Sequence, residues 1–548
     1  RNMKKIHEQL PLLLKDHNRH TREILEQHPR LDYLYAISEQ RELLLEWYDF
    51  DPEGELLQIG ADYGAMTGLF RTSVAQVTVL DEDANALRTV ELRYPGAANI
   101  RYENGSLFDL KEERAEGFDY VVFAGTLQAP YEEQLQAAKA LLKPDGVLIV
   151  AVPNALGMKY FSGTADEANA MTKVQLAQLL PGGRFYYPMP DYRTPVSIYS
   201  DQYLPKKGDM TRVTPAYDYP RYHMMDMGQK FDTACEAGLF DLYANSYLVF
   251  WSSSPERLEN GEDPIYVKYN KTRKEVFQIK TCICEAKKEG GRRRYVEKAA
   301  LSLAGSAHID SFRKKEEELM QQHRVLKVAS PEYRPDRNSA FFPYLEGQTW
   351  AEKLGQQISG GQLPLEALSQ ALDQVYDIRP EFRSSFVRTE EFDEVFGQGL
   401  CEEELALLGQ DTACRVSNID ALFENMLLTE DGIYCLDYEW VFLFPVPEHF
   451  VKYRILYYFY EQYSSVLKQL TLEQILDSFG ITPEMAEVYR KMEVNFQNYV
   501  HGENQQLYLG NYMVYSRTVR DIRQTESDLA RARERIEQMK IHSREKDV

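Results

Sequence analysis

Apolar residues in the first fifty positions recur at helical spacing: Leu10, Leu13 and Leu14, then Ile24 and Leu25, then Leu43 to Leu45, with charges between them. The spacing predicts helices over residues 1–50 that cap the domain that follows. From Glu55 the rhythm changes. Short apolar runs, Glu55–Gly60, Gln76–Asp81, Phe118–Ala124 and Gly146–Pro153, alternate with helix-like stretches, which is the pattern of a doubly wound parallel sheet. "FYYPMPDYRTPVSIYSDQYLP" (185–205) is rich in Pro and Tyr and has no period, so an ordered but irregular insertion is expected there. "SSSPERLENGEDP" (252–264) reads as a linker. Residues 265–300 read as antiparallel strands with "KKEGGRRR" at a hairpin tip, and helices dominate from about 308, interrupted by "SAFFPYLEG". Near the end Ile522, Leu529 and Ile536 repeat every seven residues, with Thr525, Ala532 and Met539 three after each. That is a short coiled-coil seam, although one amphipathic helix packed on its own domain would carry the same pattern. The expected organisation is a helical cap (1–50), an α/β domain (51–255), an α+β domain (256–510) and a coiled coil (511–548).

Composition narrows the function classes. A chain of 548 residues exceeds what one core serves. With 44% hydrophobic and 12% aromatic residues, each of several domains can build its own. Thirty-seven tyrosines supply core and rim packing or surfaces that stack on sugars and nucleosides. A net charge of −22 argues against broad binding to nucleic acid or anionic membrane, while leaving room for a local basic site. Six cysteines form no disulfide framework, and Cys282 and Cys284 have no Cys or His partners at zinc spacing, so a reducing cytoplasm is expected. No apolar run approaches the roughly 18 residues needed to span a bilayer, and no signal-peptide pattern opens the chain. It begins at Arg1 and stops inside a helical pattern, from which the expectation is a piece of something longer.

"ELLQIGADYGAMTGLF" has the plan of a strand, a glycine turn and a helix. Gly60 and Gly64 permit a tight turn and close approach of a ligand. Asp81 ends the next strand, about 20 residues on, where an acid can hold two ribose hydroxyls. With the strand rhythm and the later "LLKPDGVLIVAVPN", this stretch resembles the class I S-adenosylmethionine-dependent methyltransferases over about residues 40–250. The resemblance implies a Rossmann-like domain whose glycine turn (Gly60, Asp62, Gly64) cradles the methionine part of the cofactor. It implies Asp81 on the ribose, Ser106 and Leu107 of "NGSLFD" beside the adenine, and Ala124 to Leu127 facing cofactor and substrate. Two positions depart from the family pattern. Gln58 stands where an acid is common, and Asp62 where a middle glycine is common; Asp62 tolerates a left-handed backbone and could accept a bond from the cofactor's ammonium. A dinucleotide-binding dehydrogenase is the competing reading, against which only one mononucleotide half is visible. Substrate-side candidates are Asn154, Lys159, Tyr160, Tyr187, Asp191, Tyr192, Tyr199 and Asp201. Methyl transfer needs alignment and, for a weak nucleophile, a base.

Phosphoryl transfer needs a lysine on the phosphates, groups that hold magnesium and an acid near the acceptor hydroxyl. "RRRYVEKAAL" places Lys298 as a kinase third strand would, and "HIDSFRKKEEELM" offers acids 316–318, of which Glu317 is expected to pair with Lys298. "AFFPYLEGQTWAEKL" resembles the linker between kinase lobes, which implies that the backbone around Tyr344 to Glu346 faces the adenine. "SNIDALFENMLLTEDGIYCLDYEW" (417–440) contains Asp420 and Asn425, five apart, then Asp437 after a hairpin with Asp-Gly at its turn. By resemblance to the small-molecule branch of kinases, Asp420 and Lys298 are catalytic, and Asn425 and Asp437 hold Mg2+ for ATP. No glycine-rich nucleotide loop precedes Lys298, so the basic hairpin Lys287, Lys288, Arg292, Arg293, Arg294 is a candidate cover for phosphates. Asn418 stands in place of a scaffolding histidine and can still bond backbone. No long activation segment follows Asp437.

A methyltransferase, a two-lobed kinase-like domain and a coiled coil together resemble the bifunctional chain-terminating methyltransferase–kinases of bacterial O-antigen synthesis. The methyltransferase part resembles enzymes attached to surface-polysaccharide glycosyltransferases. The resemblance implies phosphorylation and methylation of a lipid-linked or oligosaccharide glycan, a glycosyltransferase partner or fused domain, and a homo-oligomer through the coiled coil. It implies no nucleic acid, and a cytoplasmic protein held near the inner face of the membrane through partners. The alternative is a methyltransferase whose kinase-like module is degenerate and only binds nucleotide or glycan.

Overall fold

The computed structural model describes every residue except 1–2, 17–19, 114–116, 213–216, 260–263, 289–290, 465, 468–469, 520–521 and 547–548. It divides into two compact units, Arg1–Gly261 with Asn511–Val548, and Glu262–Gly510.

The first unit is built on β1 (Glu55–Ile59), β2 (Gln76–Asp81), β3 (Ile100–Asn104), β4 (Phe118–Ala124), β5 (Leu142–Pro153), β6 (Arg184–Met189) and β7 (Ser197–Ser200). A two-residue β8 (Tyr222–His223) and β9 (Ser246–Trp251) complete its strands before the second unit. The main sheet runs β3-β2-β1-β4-β5-β9-β6-β7. Its first five strands are parallel, β9 runs antiparallel to β5, and β6 and β7 follow, also antiparallel. Strands buried on both faces need continuous apolar runs, and Tyr120–Ala124 and Val147–Val152 are buried throughout. Order reverses between β1 and β4, so a crevice opens beyond their carboxyl ends, the general ligand position in such sheets. This is the Rossmann-like fold that the sequence pattern implies.

Residues 1–50 form helices, Met3–Asp16, Thr21–Gln27 and Leu31–Ile37, then a 3-10 turn at Glu39–Leu44. Two expectations are corrected. The stretch 185–205 is not an insertion, since it holds β6 and β7 of the sheet. Pro188 has no N–H to donate, yet it sits in β6, because β9 pairs only with Arg184 to Tyr186 and Pro188 lies beyond the ladder on that side. Residues 252–259 are not a free linker: Ser253 donates to the Pro144 carbonyl at 2.8 Å, Ser254 to Asp145 at 2.8 Å, and Pro255–Glu259 is helical. The rest of that stretch, 260–263, lies outside the described residues.

The C-terminal segment is tied to this unit by Arg517–Thr518, which pair in parallel with β8, and by Tyr512, whose hydroxyl donates to the Leu25 carbonyl at 3.1 Å. Helix Ile522–Lys546 leaves Ile522, Leu529, Ile536 and Met539 exposed. The Thr525 side chain lies outside the described residues.

The second unit opens with β10 (Pro264–Tyr269), β11 (Ile279–Lys288) and β12 (Gly291–Ala300), followed by helix Ser306–Gln322. A short β13 (Lys327–Val328), then β14 (Glu332–Arg334) and β15 (Ser339–Pro343), come next. Its main sheet is antiparallel in the order β10-β11-β12-β15-β14. Residues 344–347 lead into a mostly helical portion with helices Trp350–Ser359, Pro364–Val375, Glu448–Tyr463 and Pro483–His501. The expected Asp-Gly hairpin joins Met426–Thr429 to Gly432–Cys435, with Gly432 at φ 132°. The core of the unit gathers Phe312, Phe342, Leu354, Phe396, Phe450 and Tyr489. No helix among the described residues is long and apolar enough to cross a membrane.

At Gly347 the chain passes directly against the Leu428 carbonyl, where an added Cβ would collide. Backbone cannot yield as a flexible side chain can, so Gly347→Ala is expected to destabilise the second unit by about 1–3 kcal/mol, read as a lower denaturant midpoint at unchanged slope.

Candidate functional site

The first cluster grows from the end of β1. Gly60 has φ 84°, and a Cβ there would stand 2.5 Å from the Thr126 side chain. Asp62 (φ 40°) and Tyr63 (φ 55°) continue the turn in the left-handed region, and Gly64 (φ 81°) ends it. Gln58, buried behind the turn, donates its amide to the Gly60 and Ala61 carbonyls at 3.1 and 3.2 Å and accepts from the Thr67 hydroxyl at 2.8 Å. A carboxylate in its place could accept but not donate, so the glutamine is the clamp of this turn. From β2, Asp81 accepts the Ala61 N–H on one oxygen and the Asp83 N–H on the other, both at 2.8 Å. Remaining lone pairs of both oxygens would serve ribose hydroxyls.

Asp62 is not available as expected. Buried Arg41, from the N-terminal segment, pairs with its carboxylate at 2.6 Å, so the acid locks the turn rather than standing open to an ammonium. Ser106 and Leu107 begin the helix Leu107–Glu113. The Ser106 hydroxyl is engaged with Asp109 at 2.6 Å, so its backbone is what it can offer. Ala124 ends β4 in pairing with Ala151. Beyond it, Gly125 (φ 87°) lies directly against the buried Tyr192 ring.

The substrate candidates separate. Lys159, Asp191 and Tyr192 come together with three residues that sequence reading missed, Glu167, Arg193 and Asp218. Lys159, fully buried, pairs with Glu167 at 2.7 Å and Asp191 at 3.3 Å. Arg193 pairs with Asp191 at 3.1 Å, bonds Glu167, approaches Asp218 at 4.0 Å and stacks over Tyr192 and Tyr35. Burial would drive Lys159 neutral, but Asp191 and Glu167 raise it and keep it charged. Asp218, desolvated and beside Asp191, is pushed up to about 6, which is suited to proton transfer. Tyr192 joins this cluster to the glycine turn, since the Arg41 guanidinium lies 5.9 Å from its ring. Tyr160 joins the cluster, its hydroxyl donating to Glu167 at 3.1 Å, whereas Asn154, Tyr187, Tyr199 and Asp201 stand elsewhere. Asn154 pins a loop through the Leu242 and Ala244 carbonyls at 2.8 and 2.7 Å. Tyr187, itself buried, belongs to a separate group with Lys173 and the exposed Asp201. No run of residue types marked Asp218 or Glu167; only the fold brings them to Lys159.

In the second unit Lys298 on β12 pairs with Asp437 at 2.9 Å. Asn425 donates its amide to the Asp420 carbonyl at 2.9 Å, and Asn418 accepts the Asp420 N–H at 2.9 Å, so the asparagine does support this loop. Arg454 approaches Asp420 at 3.5 Å. Burial, only partly offset by Arg454 and reinforced by Asp437 and Glu439, pushes the Asp420 carboxyl up to about 7.

Two expectations fail here. Glu317 is exposed on helix Ser306–Gln322, because the inward face carries His308, Phe312, Lys315 and Leu319 at helical spacing. Lys315 donates to the Glu439 carbonyl at 2.5 Å, and burial lowers its amine to about 8. The acid near Lys298 comes instead from the loop: Glu439 opposes its own burial through Arg273 and His308 and stays well below the carboxylate range. The basic hairpin is also misplaced as a phosphate cover. Lys298 pairs with Thr281, beside the 270–278 connection, whereas Gly291 begins β12 seven residues away, about 23 Å along a strand. The hairpin tip, 289–290, lies outside the described residues. Tyr344 lies beneath Arg294, 5.9 Å from its guanidinium, and Glu346 is exposed. Among the described residues no group of three or more His, Cys, Asp or Glu side chains is placed to hold a metal; the pair available is Asn425 with Asp437.

A family model described as a methyltransferase domain matches residues 57–150. No curated protein matches the chain. Among solved structures, precorrin-8w decarboxylase of Methanobacterium thermoautotrophicum is 22% identical with a TM-score of 0.19, covering 21% of this chain and 62% of that one. The N-methyltransferase NodS of Bradyrhizobium japonicum WM9 with S-adenosyl-L-homocysteine is 19% identical, TM-score 0.20, covering 24% and 74%. Coclaurine N-methyltransferase with N-methylheliamine and S-adenosylhomocysteine is 18% identical, TM-score 0.19, covering 21% and 35%. This chain thus spans less than two thirds of the decarboxylase and about a third of the coclaurine enzyme. The matched residues run from β1 to β5 and contain Gly60, Asp81 and Ala124, so the similarity to a methyltransferase domain falls on the glycine turn and the strands beside the crevice.

Asp81→Ala is expected to weaken S-adenosylhomocysteine binding by about tenfold or more, measured by calorimetry; unchanged affinity would remove Asp81 from the ribose. For Asp420 the sign follows from its raised carboxyl. Between an ordinary aspartate value of about 3.9 and about 7, the folded state holds a proton that the unfolded chain releases, so stability falls as pH rises through that window. Asp420→Asn is therefore expected to raise the unfolding temperature at pH 8 and to leave it nearly unchanged at pH 4.

Proposed function

We propose that the chain is a two-activity transferase acting on a bacterial cell-surface glycan, with methyl transfer in the first unit and phosphoryl transfer to a sugar hydroxyl in the second. The convergence of Lys298, Asp437, Asn425 and Asp420 carries the phosphoryl-transfer half. When bound, S-adenosylmethionine supplies an electrophilic methyl group, and ATP with magnesium supplies a phosphoryl group. The residues present fit both. At Gly105, next to Ser106, a Cβ would meet nothing within 4 Å, which is room for a flat base. In the second unit, the Asn425 side-chain oxygen and the second Asp437 oxygen have no protein partner among the described residues, and they would hold magnesium.

Each residue then has a task. Gly60 to Gly64 present backbone at close range, Asp81 holds the ribose, and Arg41 keeps Asp62 in place. Tyr192 and the Lys159–Asp191–Arg193 group shape the acceptor side. A phosphate oxygen needs no base, whereas a hydroxyl acceptor would use Asp218. In the second unit Asp420 takes the acceptor's proton, and Lys298 leaves Asp437 for the phosphates. The acceptor class, a glycosyltransferase partner, self-association through helix Ile522–Lys546 and a place at the inner membrane face rest on the resemblance in architecture.

A second reading is favoured by one observation. Lys298 pairs with Asp437, and the neighbouring helix offers Lys315 rather than an acid, which suits a module that binds nucleotide or glycan without turnover. Purified chain with ATP, magnesium, S-adenosylmethionine and short glycans separates the two. The two-activity reading expects ATP consumption that is lost in Asp437→Ala and rises with pH through about 7, the value of Asp420. Nucleotide binding without consumption would establish the scaffold, and methyl transfer undiminished in Asp81→Ala would overturn the assignment of the first site.

A further inference from the structure

The second unit holds a cavity of about 390 Å³ that no part of the transfer chemistry uses. It is lined by Arg293 and Arg294 of β12, Arg334 of β14 and Arg337 beyond it, with Tyr295 and Phe341 among its walls. Glu332 is the one acid in the lining, so three arginines without an ion pair among the described residues meet one negative charge, in a chain of net charge −22. Glu285 already pairs with Arg294 at 3.1 Å, so the uncompensated charge is that of Arg293, Arg334 and Arg337; like charge concentrated in this way costs stability through repulsion, and a bound anion relieves it.

The geometry specifies the anion further. Arg334 pairs with Ser339, and Tyr295 with Pro343, so the arginines are spread over about 13 Å of strand. One phosphate cannot reach both ends of such a row. Tyr295 and Phe341 stand 5.4 Å apart at 40°, and the Arg334 guanidinium lies 5.1 Å from the Phe341 ring centre. Rings interleaved with arginines offer apolar faces for sugar rings and planar forks for their acidic substituents. Arg294 lies four residues from Lys298 on β12, again about 13 Å, so the groove is separate from the Lys298–Asp437 pair.

We infer that this groove binds an extended acidic oligosaccharide, one carrying carboxylate, sulfate or phosphate groups along its length. The choice of a sugar chain rests on the glycan reading above; the anionic, elongated character rests on the groove alone. The test uses the full chain and a fluorescent heparin-derived octasaccharide as the acidic sugar probe, with a neutral dextran oligosaccharide and a single-stranded oligothymidylate for comparison. Wild-type protein is expected to bind the octasaccharide and not the dextran. The combined Arg293→Ala, Arg334→Ala, Arg337→Ala variant is expected to lose about tenfold or more in affinity with unchanged circular dichroism and melting temperature. Arg334→Gln, which keeps a planar group over Phe341, serves if the triple variant folds poorly and is expected to lose affinity in the same direction. Asp437→Ala and Asp81→Ala are expected to bind as wild type. Equal binding by the arginine variants, tighter binding of the oligothymidylate, or no octasaccharide binding at low salt would overturn the inference. Because binding is read without turnover, a groove that binds while no glycan is methylated or phosphorylated would sink the two-activity reading and leave this one standing.

Discussion

The carboxamide of Gln58, buried at the end of β1, holds the two carbonyls that a left-handed turn leaves pointing inward. That clamp determines what the crevice can do. Four residues from Gly60 to Gly64, all but Ala61, lie in a region that L-residues other than glycine seldom adopt, and such backbone persists only when its surroundings over-determine it. Here Gln58 works from behind, Asp81 takes the Ala61 N–H from the side, and Arg41 holds the Asp62 carboxylate from the N-terminal segment. The turn is thereby rigid before any ligand arrives, and a rigid cradle loses less on binding.

Buried charge is the second organising constraint, and both units meet it in the same way. Lys159 with Asp191, Glu167 and Arg193, and Lys298 with Asp437 and nearby Glu439, are alternating networks in which each ion has an opposite neighbour. Desolvation makes an isolated buried ion intolerable. In each network one carboxyl is left less well paired than the rest, Asp218 in the first and Asp420 in the second, and its proton affinity rises. Groups poised in this way are the ones proton transfer uses.

The second unit reaches its arrangement by an exchange of roles. The helix after β12 turns His308, Phe312 and Lys315 inward, so it delivers a base and two rings where a carboxylate was expected. Glu439, two residues beyond Asp437, supplies the missing negative charge from the loop and gathers Arg273 and His308 around it. Charge balance survives although its source has moved. The arginine groove stands outside this balance: Arg294 is paired with Glu285, but Arg293, Arg334 and Arg337 face only Glu332 in the lining.

Local patterns in the chain determined the strand-and-helix rhythm of residues 55–153, the glycine turn, Asp81 at the end of β2, the Asp-Gly hairpin and the loop that joins Asp420 to Asn425. Each of these is a short-range rule of periodicity, backbone freedom or turn chemistry, so it is written within a few residues. The tertiary structure alone decided the rest. It made Pro188 part of a strand by leaving that position beyond the β9 ladder. It closed Asp62 with Arg41, exposed Glu317, and carried Tyr187 away from Lys159 while bringing Glu167, Arg193 and Asp218 to it. The reason is that a side chain's partner is set by which face of an element is buried and what packs on that face, and residues 8 to 60 positions apart on different elements share no local pattern that encodes their meeting.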